Sequence, residues 1–410
     1  MDVSAVRITR PEVDPSIDPD ADWSLPGWLY GDAEYHALEM ERVIRPSWQI
    51  VCHESDLAEP GAWRRLDYLN ESVIVVRGED HVLRAFANVC RHRAMRLVEG
   101  HAGCARKFVC PYHAWTFETD GRLSGVPMKH QYPALKLDEQ GLAPVDLELW
   151  HGFVFVRLVD AGFPSVASMM APFEAEVAPY RFEDLRRIGD VRERPRAVNW
   201  KNVGDNYSDN LHIPVAHDGL TRIFAKSYTI EAQGWADRLK GDLVDAPSAH
   251  PWEWFYQAHL PPVDHLPAES QRRWLYYKLW PNIAFDIYAD QVDFMQWLPT
   301  GPTTSVLREM VFALPDARRE MKLVRYANWR INRVVNAEDT WLIERVQQGM
   351  ASASYTAGPI GTSEVCLRSF AAKIRALVPE ARQHHAPAAG WSARSEIDQP
   401  RLAALGGHPQ

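Results

Sequence analysis

The sequence predicts an α+β chain, in which a small all-β domain precedes a larger domain with an antiparallel sheet flanked by helices. Between residues 49 and 156, short β-rich runs are separated by Gly- and Pro-containing turns such as RGEDH and ETDGR. Beyond residue 160, segments with helical spacing alternate with longer strand-like segments. A length of 410 residues also favours two domains, because a single hydrophobic core rarely grows that large.

The composition is that of an ordinary globular protein. Hydrophobic residues make up 46% of the chain and charged residues 24%. The formal net charge of −9 opposes binding to nucleic acid or to an anionic membrane surface. No apolar run is long enough to span a membrane, and the first residues lack the apolar core of a signal peptide. We therefore expect a cytoplasmic protein whose five cysteines are reduced or metal-bound.

The elements are predicted in the following order. Residues 1–45 contain an irregular lead, residues 1–22, followed by a helix that packs on the larger domain. Asp32 caps this helix and Pro46 ends it. Residues 46–160 form the small β domain. Residues 161–384 form the larger domain, and residues 385–410, which are rich in Ala, Pro, Gly and His, form a flexible tail.

Three segments define the larger domain. RRWLYYKLWPNIAFDIYADQVDFMQWLP alternates on both sides of YADQ, which predicts an antiparallel pair of strands. RYANWRINRVVNAEDTWLIERVQQGM has helical spacing, and ERVQQGMASASYTAGPIGTSEVCLRSF is also interpreted as a helix. The chain shows no Gly-rich nucleotide-binding loop, so NAD(P)H is expected to act only indirectly, through another protein.

The stretch CRHRAMRLVEGHAGCARKFVCPYH contains two mixed pairs of metal-binding residues. Cys90 with His92, and Cys110 with His113, each bring one thiol and one imidazole from a short loop. Structural zinc sites usually take their Cys and His from unmixed pairs. Mixed loops suit a [2Fe–2S] cluster in which two Cys hold one iron and two His the other, the Rieske arrangement. Zinc, and side chains that bind no metal, remain alternatives.

A second group of ligands lies in DNYSDNLHIPVAH. His212 and His217 would point about 140° apart on an ideal helix, and we expect Pro214 to bend the chain between them. Two His and one carboxylate form the facial triad of non-haem Fe(II) oxygenases, which leaves positions open for O2 and substrate.

Asp339 is the predicted carboxylate ligand. It shares a helix face with five apolar residues: Val335, Leu342, Ile343, Val346 and Met350. A carboxylate on such a face needs a compensating charge, from iron or, alternatively, from an arginine. Neighbouring Glu338 is interpreted as part of a surface ion pair near Trp341 and Arg345.

The stretches NVCRHRAMRL, CPYHAWTFETDGRLSGVP and NWKNVGDNYSDNLHIPVAHDGL resemble the oxygenase (α) component of Rieske non-haem iron ring-hydroxylating oxygenases. The resemblance spans nearly the whole chain, from about Trp48 to the helix around Asp339. It implies a Rieske cluster on the mixed loops, a mononuclear Fe(II), and a helix-grip (START-like) fold for the larger domain. Respiratory Rieske proteins carry an extra cysteine in each cluster loop, and here Ala94 stands at one of these places.

The resemblance also implies roles for Asp209 and Asn206. Asp209 matches an acid that, in the family, lies between the two metal centres and binds an iron-ligating His, here His212. The same acid binds a cluster His of the neighbouring subunit, here His113. Asn206 matches a family Asn near the iron, preceded here by Asp205 where the family usually has Glu. An electron path across subunits implies a homotrimer, with or without a small β subunit.

These assignments predict the terminal component of a mono- or dioxygenase. A separate reductase or ferredoxin would supply electrons, and O2 would hydroxylate, dihydroxylate or demethylate a small substrate. One alternative is a Rieske electron carrier or redox sensor without oxygen chemistry, and another is a zinc-stabilised binding protein.

Two aromatic runs are predicted to line the substrate pocket, although about two thirds of their side chains are expected to be structural, because aromatic residues on strands usually pack in cores. The residues are Trp252, Trp254, Phe255, Tyr256, Trp274, Tyr276, Tyr277 and Trp280. Aromatic walls suit an aromatic ring by stacking or a methylammonium group by cation–π contact. The segment around ERVQQGM resembles choline, carnitine and betaine monooxygenases, whereas HIPVAHDGL resembles branches that degrade aromatic acids. The sequence leaves both substrate classes open.

Overall fold

The computed structural model describes residues 20–392, whose contacts divide the chain into two units. The small unit contains residues 45–160 and 182–187. The large unit contains the other described residues: 20–44, 161–181 and 188–392. Most of the predicted lead and the tail from residue 393 onward lie outside the described residues.

The small unit is built from short strands, as the sequence predicts. They are β1 (Gln49–His53), β2 (Ala62–Tyr68), β3 (Glu71–Arg77), β4 (Leu83–Ala87), β5 (Ala102–Cys104), β6 (Lys107–Val109), β7 (Thr116–Glu118), β8 (Leu123–Gly125), β9 (Pro144–Trp150) and β10 (Phe153–Arg157). Seven of them form one sheet in the order β1-β10-β9-β4-β3-β2-β5, and β6-β7-β8 form a second sheet. The predicted turns RGEDH and ETDGR join β3 to β4 and β7 to β8.

The core of the small unit draws apolar side chains from both sheets. Ile74 and Phe86 come from the larger sheet, and Phe117 comes from the smaller one. Cys90, after β4, and Cys110, after β6, belong to the same buried cluster. The core therefore anchors both cysteine loops.

The large unit combines nine described helices with one described sheet. The helices are α1 (Ala33–Glu39), α2 (Val166–Met170), α3 (Glu174–Val177), α4 (Trp200–Ser208), α5 (Ile213–Ala216), α6 (Asp218–Phe224), α7 (Pro251–His259), α8 (Arg319–Met350) and α9 (Val365–Leu377). The strands are β11 (Arg186–Arg196), β12 (Thr229–Gln233), β13 (Ala236–Asp242), β14 (Arg273–Leu279), β15 (Ile283–Ile287), β16 (Val292–Gly301) and β17 (Thr304–Ala313). The sheet order is β11-β17-β16-β15-β14-β13-β12, and every pairing from β12 to β17 is antiparallel.

Two predicted helices form as expected. Asp32 caps α1, because its carboxylate accepts a hydrogen bond from the backbone N–H of Tyr35 at 2.7 Å. The helix continues as a π-helical turn to Ile44, before Pro46. The long α8 covers the predicted segment around Asp339. Among the described residues, no helix combines the length and apolar character needed to cross a membrane.

Three segments differ from the prediction. The segment around YADQ forms three strands, β14 to β16, because the chain also turns between β14 and β15. PWEWFYQ, grouped with the strand aromatics, is helix α7, since Pro251 occupies the first turn, where its missing N–H costs nothing. ERVQQGMASASYTAGPIGTSEVCLRSF is not one helix, because α8 ends at Met350 and α9 begins at Val365. Gly358 and Pro359 in between oppose helix.

The beginning of the predicted tail is ordered against the large unit. Trp391 is buried, and its ring contacts the ring of Trp28 edge to face at 6.0 Å. The backbone N–H groups of Gly390 and Ser392 donate to the carboxylate of Glu34.

Candidate metal centres and substrate cavity

The two cysteine loops share one backbone frame despite their different Cys–His spacing. In each loop the backbone N–H of the cysteine donates to the carbonyl five residues later. The distance from nitrogen to oxygen is 2.8 Å for both Cys90 and Cys110. The residue four positions after the cysteine donates back to the cysteine carbonyl. This residue is Ala94 in one loop and Ala114 in the other, and both have positive φ. The loops are therefore matched halves of one site.

The side chains of these loops leave atoms that fit a metal cluster. Cys90 and Cys110 are 2% exposed, and the rings of His92 and His113 lie 4.5 Å apart. Nδ1 of each histidine is buried and has no hydrogen-bond partner. A buried unpaired nitrogen is costly, and the histidine-bound iron of a Rieske cluster would satisfy both atoms. Two thiols with two such imidazoles match the donor set of a Rieske cluster.

The electrostatics of this site centre on Cys90. Burial raises the pKa of the Cys90 thiol, backbone N–H groups of His92 and Arg93 lower it, and Cys110 raises it again. Cys104 and His101, which lie between the two loops in the sequence, are both exposed.

His212, His217 and Asp339 come together in the large unit. One ligand atom from each lies within 4.8 Å of the other two. Nε2 of His217 is 3.1 Å from Nε2 of His212 and 3.0 Å from Oδ1 of Asp339. The remaining side of the triangle, from His212 Nε2 to Asp339 Oδ1, is 3.7 Å. Metal–ligand bonds of about 2.0–2.2 Å place neighbouring ligand atoms about 3 Å apart, so this triangle fits one ion.

The local fold that presents the histidines differs from the prediction. Pro214 is predicted to bend the chain between the two histidines, but it lies within the short helix α5, which begins at Ile213. Pro214 is accommodated because it stands in the first turn, where no intrahelical bond is lost. The chain bends instead at His217, which has φ −118° and ψ 74° and separates α5 from α6.

Each histidine of the triad has a carboxylate on its second ring nitrogen. Asp209 Oδ2 lies 3.0 Å from His212 Nδ1, and Glu338 Oε2 lies 2.8 Å from His217 Nδ1. Hydrogen-bonding Nδ1 fixes the tautomer that directs Nε2 toward a metal. The predicted contact between Asp209 and His212 is therefore present within the chain.

Asn206 holds the third side chain of the triad, that of Asp339. Its Nδ2 donates to Asp339 Oδ1 at 2.7 Å. Asn206 lies in α4, whose position is fixed by a fully buried ion pair between Lys201 and Glu39 at 2.9 Å. Trp200 Nε1 donates to the same Glu39 carboxylate at 2.7 Å.

The interpretation of Glu338 as part of a surface ion pair is wrong. Arg345 lies over the ring of Trp341 at 3.9 Å, while Glu338 turns to His217. The only sequence signal for this contact was the neighbouring Asp339, because a carboxylate next to a metal ligand can accept a hydrogen bond from a metal-binding histidine. The predicted apolar face also loses Val346, which is exposed.

Charges around the triad shift two pKa values in opposite directions. Burial raises the pKa of Asp209, but hydrogen bonds from His212 and the N–H of Leu211 outweigh it and lower the pKa. Burial lowers the pKa of His217, but Asp339 and Glu338 outweigh it and raise the pKa.

A cavity of about 760 Å³ opens onto the triad. That volume suits a small-molecule site. Of the eight aromatic residues in the two predicted runs, only Tyr276 lines it among the described residues, so the structural share exceeds the two thirds that we expected. Trp274 and Tyr256, for example, are buried in the apolar core instead. The observed aromatic lining consists of Tyr207, Tyr228, Tyr276, Phe294, Trp297, Tyr326 and Trp329.

Two protein-family models match the chain. The Rieske [2Fe-2S] domain matches residues 47–139, and the catalytic domain of the ring hydroxylating alpha subunit matches residues 182–380. The chain belongs to the Rieske ring-hydroxylating oxygenases. This confirms the predicted family and α+β fold class. The cofactors of this Rieske oxygenase chain are a [2Fe–2S] cluster and a mononuclear iron.

Several curated Rieske oxygenases are similar in sequence. The carnitine monooxygenase oxygenase subunit of Escherichia coli K12 is 36% identical over 206 residues, 50% of this chain and 54% of that protein. The match thus spans about half the length of that relative. The corresponding subunit of Acinetobacter pittii is 28% identical over 345 residues, 82% of this chain and 88% of that protein. The glycine betaine monooxygenase oxygenase subunit of Chromohalobacter salexigens is 34% identical over 234 residues, 57% of this chain and 51% of that protein.

Solved Rieske oxygenase structures share the fold. A quaternary ammonium Rieske monooxygenase in complex with an inhibitor gives a TM-score of 0.75 at 24% identity, covering 92% of this chain and all of that chain. Naphthalene 1,2-dioxygenase from Rhodococcus sp., bound to indole, gives 0.70 at 21% identity, covering 85% of this chain and 93% of that chain. At these identities the likeness establishes the fold alone.

Proposed function

We propose that this Rieske oxygenase is the terminal component of a monooxygenase that oxidises a methylammonium substrate. The proposed cluster ligands are Cys90, His92, Cys110 and His113, and the proposed iron ligands are His212, His217 and Asp339. The observation that carries the proposal is the triad, whose ligand atoms lie within 4.8 Å of one another beside a large cavity. A Rieske electron carrier without oxygen chemistry has no use for this arrangement.

The chain's own residues prepare the iron site. When bound, the cluster supplies single electrons and the iron activates O2. Asp209 and Glu338 keep Nδ1 of the histidines occupied, so that both Nε2 atoms face the metal. Asn206 orients the carboxylate of Asp339. We therefore assign Asp209, Asn206 and Glu338 as positioning residues.

The methylammonium class is supported by two independent lines of reasoning. The relatives named above act, by their names, on carnitine and glycine betaine. The cavity provides tyrosine and tryptophan rings, whose faces attract a methylated cation. An aromatic-acid substrate has weaker support, because the likeness to naphthalene dioxygenase is one of fold alone.

The proposed partners are a separate reductase and further copies of the chain. The name "oxygenase subunit" of the relatives supports a second, electron-supplying polypeptide. We place the electron path between subunits of a homotrimer, where Asp209 links His212 to His113 of the next subunit. The exposed position of Tyr112, which precedes that histidine, suits a loop that contacts another subunit.

The test uses purified protein and a surrogate reductase. We expect a Rieske visible spectrum, about three irons per chain, and O2 uptake that depends on carnitine, glycine betaine or choline. The matched control is His212→Ala, which should keep the spectrum and lose both the third iron and the O2 uptake. A wild-type protein with about two irons and no substrate-dependent uptake is an electron carrier, and the proposal is then wrong.

A further inference from the structure

Four side chains form a row across the large sheet. The register pairs Tyr276 on β14 with Asp286 on β15, Asp286 with Asp293 on β16, and Asp293 with Val311 on β17. Directly paired residues of an antiparallel sheet point to the same face, with Cβ atoms about 4.5–5.5 Å apart. All four line the cavity that opens onto the triad. Two carboxylates therefore stand side by side on its wall.

These two carboxylates have hydrogen-bond donors but no cationic partner. Tyr207 Oη donates to Asp286 Oδ1 at 2.6 Å, and the Gln291 amide donates to Asp293 at 3.0 and 3.2 Å. In the part of the chain that the structure describes, no lysine or arginine forms an ion pair with either acid. Glu309, another acid that lines the cavity, differs, because Arg194 lies 3.0 Å from it.

The position of the acid pair is costly without a ligand. Like charges directly opposite each other on paired strands repel, and buried charges are normally paired. Burial raises the pKa of Asp286 to about 7. The pKa of Asp293 is also raised, mainly by burial and then by the negative charges of Asp286 and Asp290. A bound cation would relieve both effects, because an opposite charge favours the ionised carboxylates.

The aromatic part of the cavity lining suits an organic cation, although the same cavity is also lined by six basic side chains: Arg192, Arg194, Arg196, Lys322, Arg325 and Arg333. Tyr207, Tyr228, Phe294 and Trp297 line the same space as the two acids. Aromatic faces and carboxylates together favour a methylated ammonium group over a metal ion or an inorganic cation, because the methyl groups pack against the rings.

We propose that Asp286 and Asp293 are the counter-ion for a quaternary or tertiary ammonium group of the substrate, and that they set the preference of the cavity for cations over neutral molecules of the same shape. This inference rests on the proposed function and adds the residues that determine specificity. It assigns them to the sheet, whereas the proposed iron ligands lie at or within helices.

The test measures binding without turnover. Isothermal titration of the oxidised holoenzyme, with no reductase present, compares choline with 3,3-dimethylbutan-1-ol, which replaces the ammonium nitrogen by carbon. We expect choline to bind at least about tenfold more tightly, a difference of about 1.4 kcal/mol. Asp286→Asn, Asp293→Asn and the double variant should lose this preference while they bind the neutral alcohol as the wild type does. Equal binding of the two probes by the wild type, or a preference that survives in the double variant, overturns the proposal.

Asp290→Asn is the matched control. Asp290 is also buried and accepts a hydrogen bond from a tyrosine, Tyr256, at 2.6 Å, but it is not among the described residues that line the cavity. Its substitution should not weaken the cation preference, because the charge of Asp290 only raises the pKa of Asp293. If the protein prefers cations but shows no substrate-dependent O2 uptake, only the proposed oxygenase function is contradicted. If it turns over substrate without preferring cations, only the counter-ion role of the two acids is contradicted.

Discussion

Each imidazole of the proposed iron triad is held by a carboxylate from a different part of the chain. Asp209 lies three residues before His212, whereas Glu338 reaches His217 from a helix more than a hundred residues away. Local spacing and the family resemblance could predict the first contact. The second depends on tertiary packing, and neighbouring Trp341 and Arg345 offered a simpler explanation for Glu338.

The Glu338 contact predicts a specific defect. Glu338→Ala leaves Nδ1 of His217 without its acceptor, so the affinity for mononuclear iron should fall about 10- to 100-fold. Iron titration of the purified protein measures the loss, while the visible spectrum of the cluster should not change. Glu320→Ala is the control, since Glu320 is exposed on the same helix. Unchanged iron affinity in Glu338→Ala would show that the contact has no positioning role.

The raised pKa of Asp286 predicts how stability depends on pH. The folded protein holds a proton on this acid up to about pH 7, whereas the unfolded chain releases it near pH 4. The favourable contribution of the protonated acid is therefore complete at low pH and is lost as the pH rises to about 7. Asp286→Asn should raise the free energy of unfolding at pH 8 by on the order of 1–3 kcal/mol and change it little at pH 4. Denaturant titrations at both pH values measure this, and a less stable variant at pH 8 would contradict it.

The same acid predicts that cation binding depends on pH. The titratable groups around Asp286 are Asp293 on β16, Glu309 on β17 and the Tyr207 hydroxyl on α4. The ionised carboxylate binds the ammonium group and the protonated acid does not, so choline affinity should rise between pH 6 and pH 8. Isothermal titration across this range measures the change, and the rise should be much smaller in Asp286→Asn.

Helix α4 connects the iron site to the interior of the large unit. One end carries the buried Lys201, and the other carries Asn206 and, directly after the helix, Asp209. Removing one partner of a buried ion pair leaves an uncompensated charge. We expect Glu39→Ala to cost about 3–5 kcal/mol of stability, and Glu39→Met with Lys201→Met to cost much less. Chemical denaturation measures both, and equal losses would contradict this account.

The elements that depend on local periodicity were predictable, and those that depend on proline position were not. Alternation and helical spacing correctly predicted the β-rich small unit and α8, because both patterns reflect which side faces a core. Pro214 was misjudged because proline breaks a helix from within but is tolerated in the first turn, where Pro251 also stands in α7. The cavity lining was unpredictable, because an aromatic residue on a strand reaches the core or the cavity according to register and covering helices.

The proposed electron path makes the working enzyme an assembly of subunits. Cys110→Ser should lack a complete cluster, and His212→Ala should lack the mononuclear iron, so that each variant alone is inactive. If electrons cross from one subunit to the next, co-expressed variants should recover about a quarter of wild-type activity, the share of interfaces that join an intact cluster to an intact iron site.

The control for this experiment mixes the two variants after separate purification, with subunit exchange checked by affinity tags. Activity in co-assembled protein beyond that of the unexchanged mixture supports the path between subunits. If the co-assembled protein has no activity, each electron passes from the cluster to the iron within the same chain, and the path between subunits is wrong.

The row Tyr276–Asp286–Asp293–Val311 has a consequence for how this scaffold can change. Its members are on strands, whereas the residues around the iron are at or within helices, so substitutions in the row leave the reactive centre's own contacts unaltered. A combinatorial library confined to these four positions would sample new substrates without sacrificing the chemistry. Natural divergence could follow the same route, with one oxidising centre inherited intact while the sheet wall of the cavity adapts to new substrates.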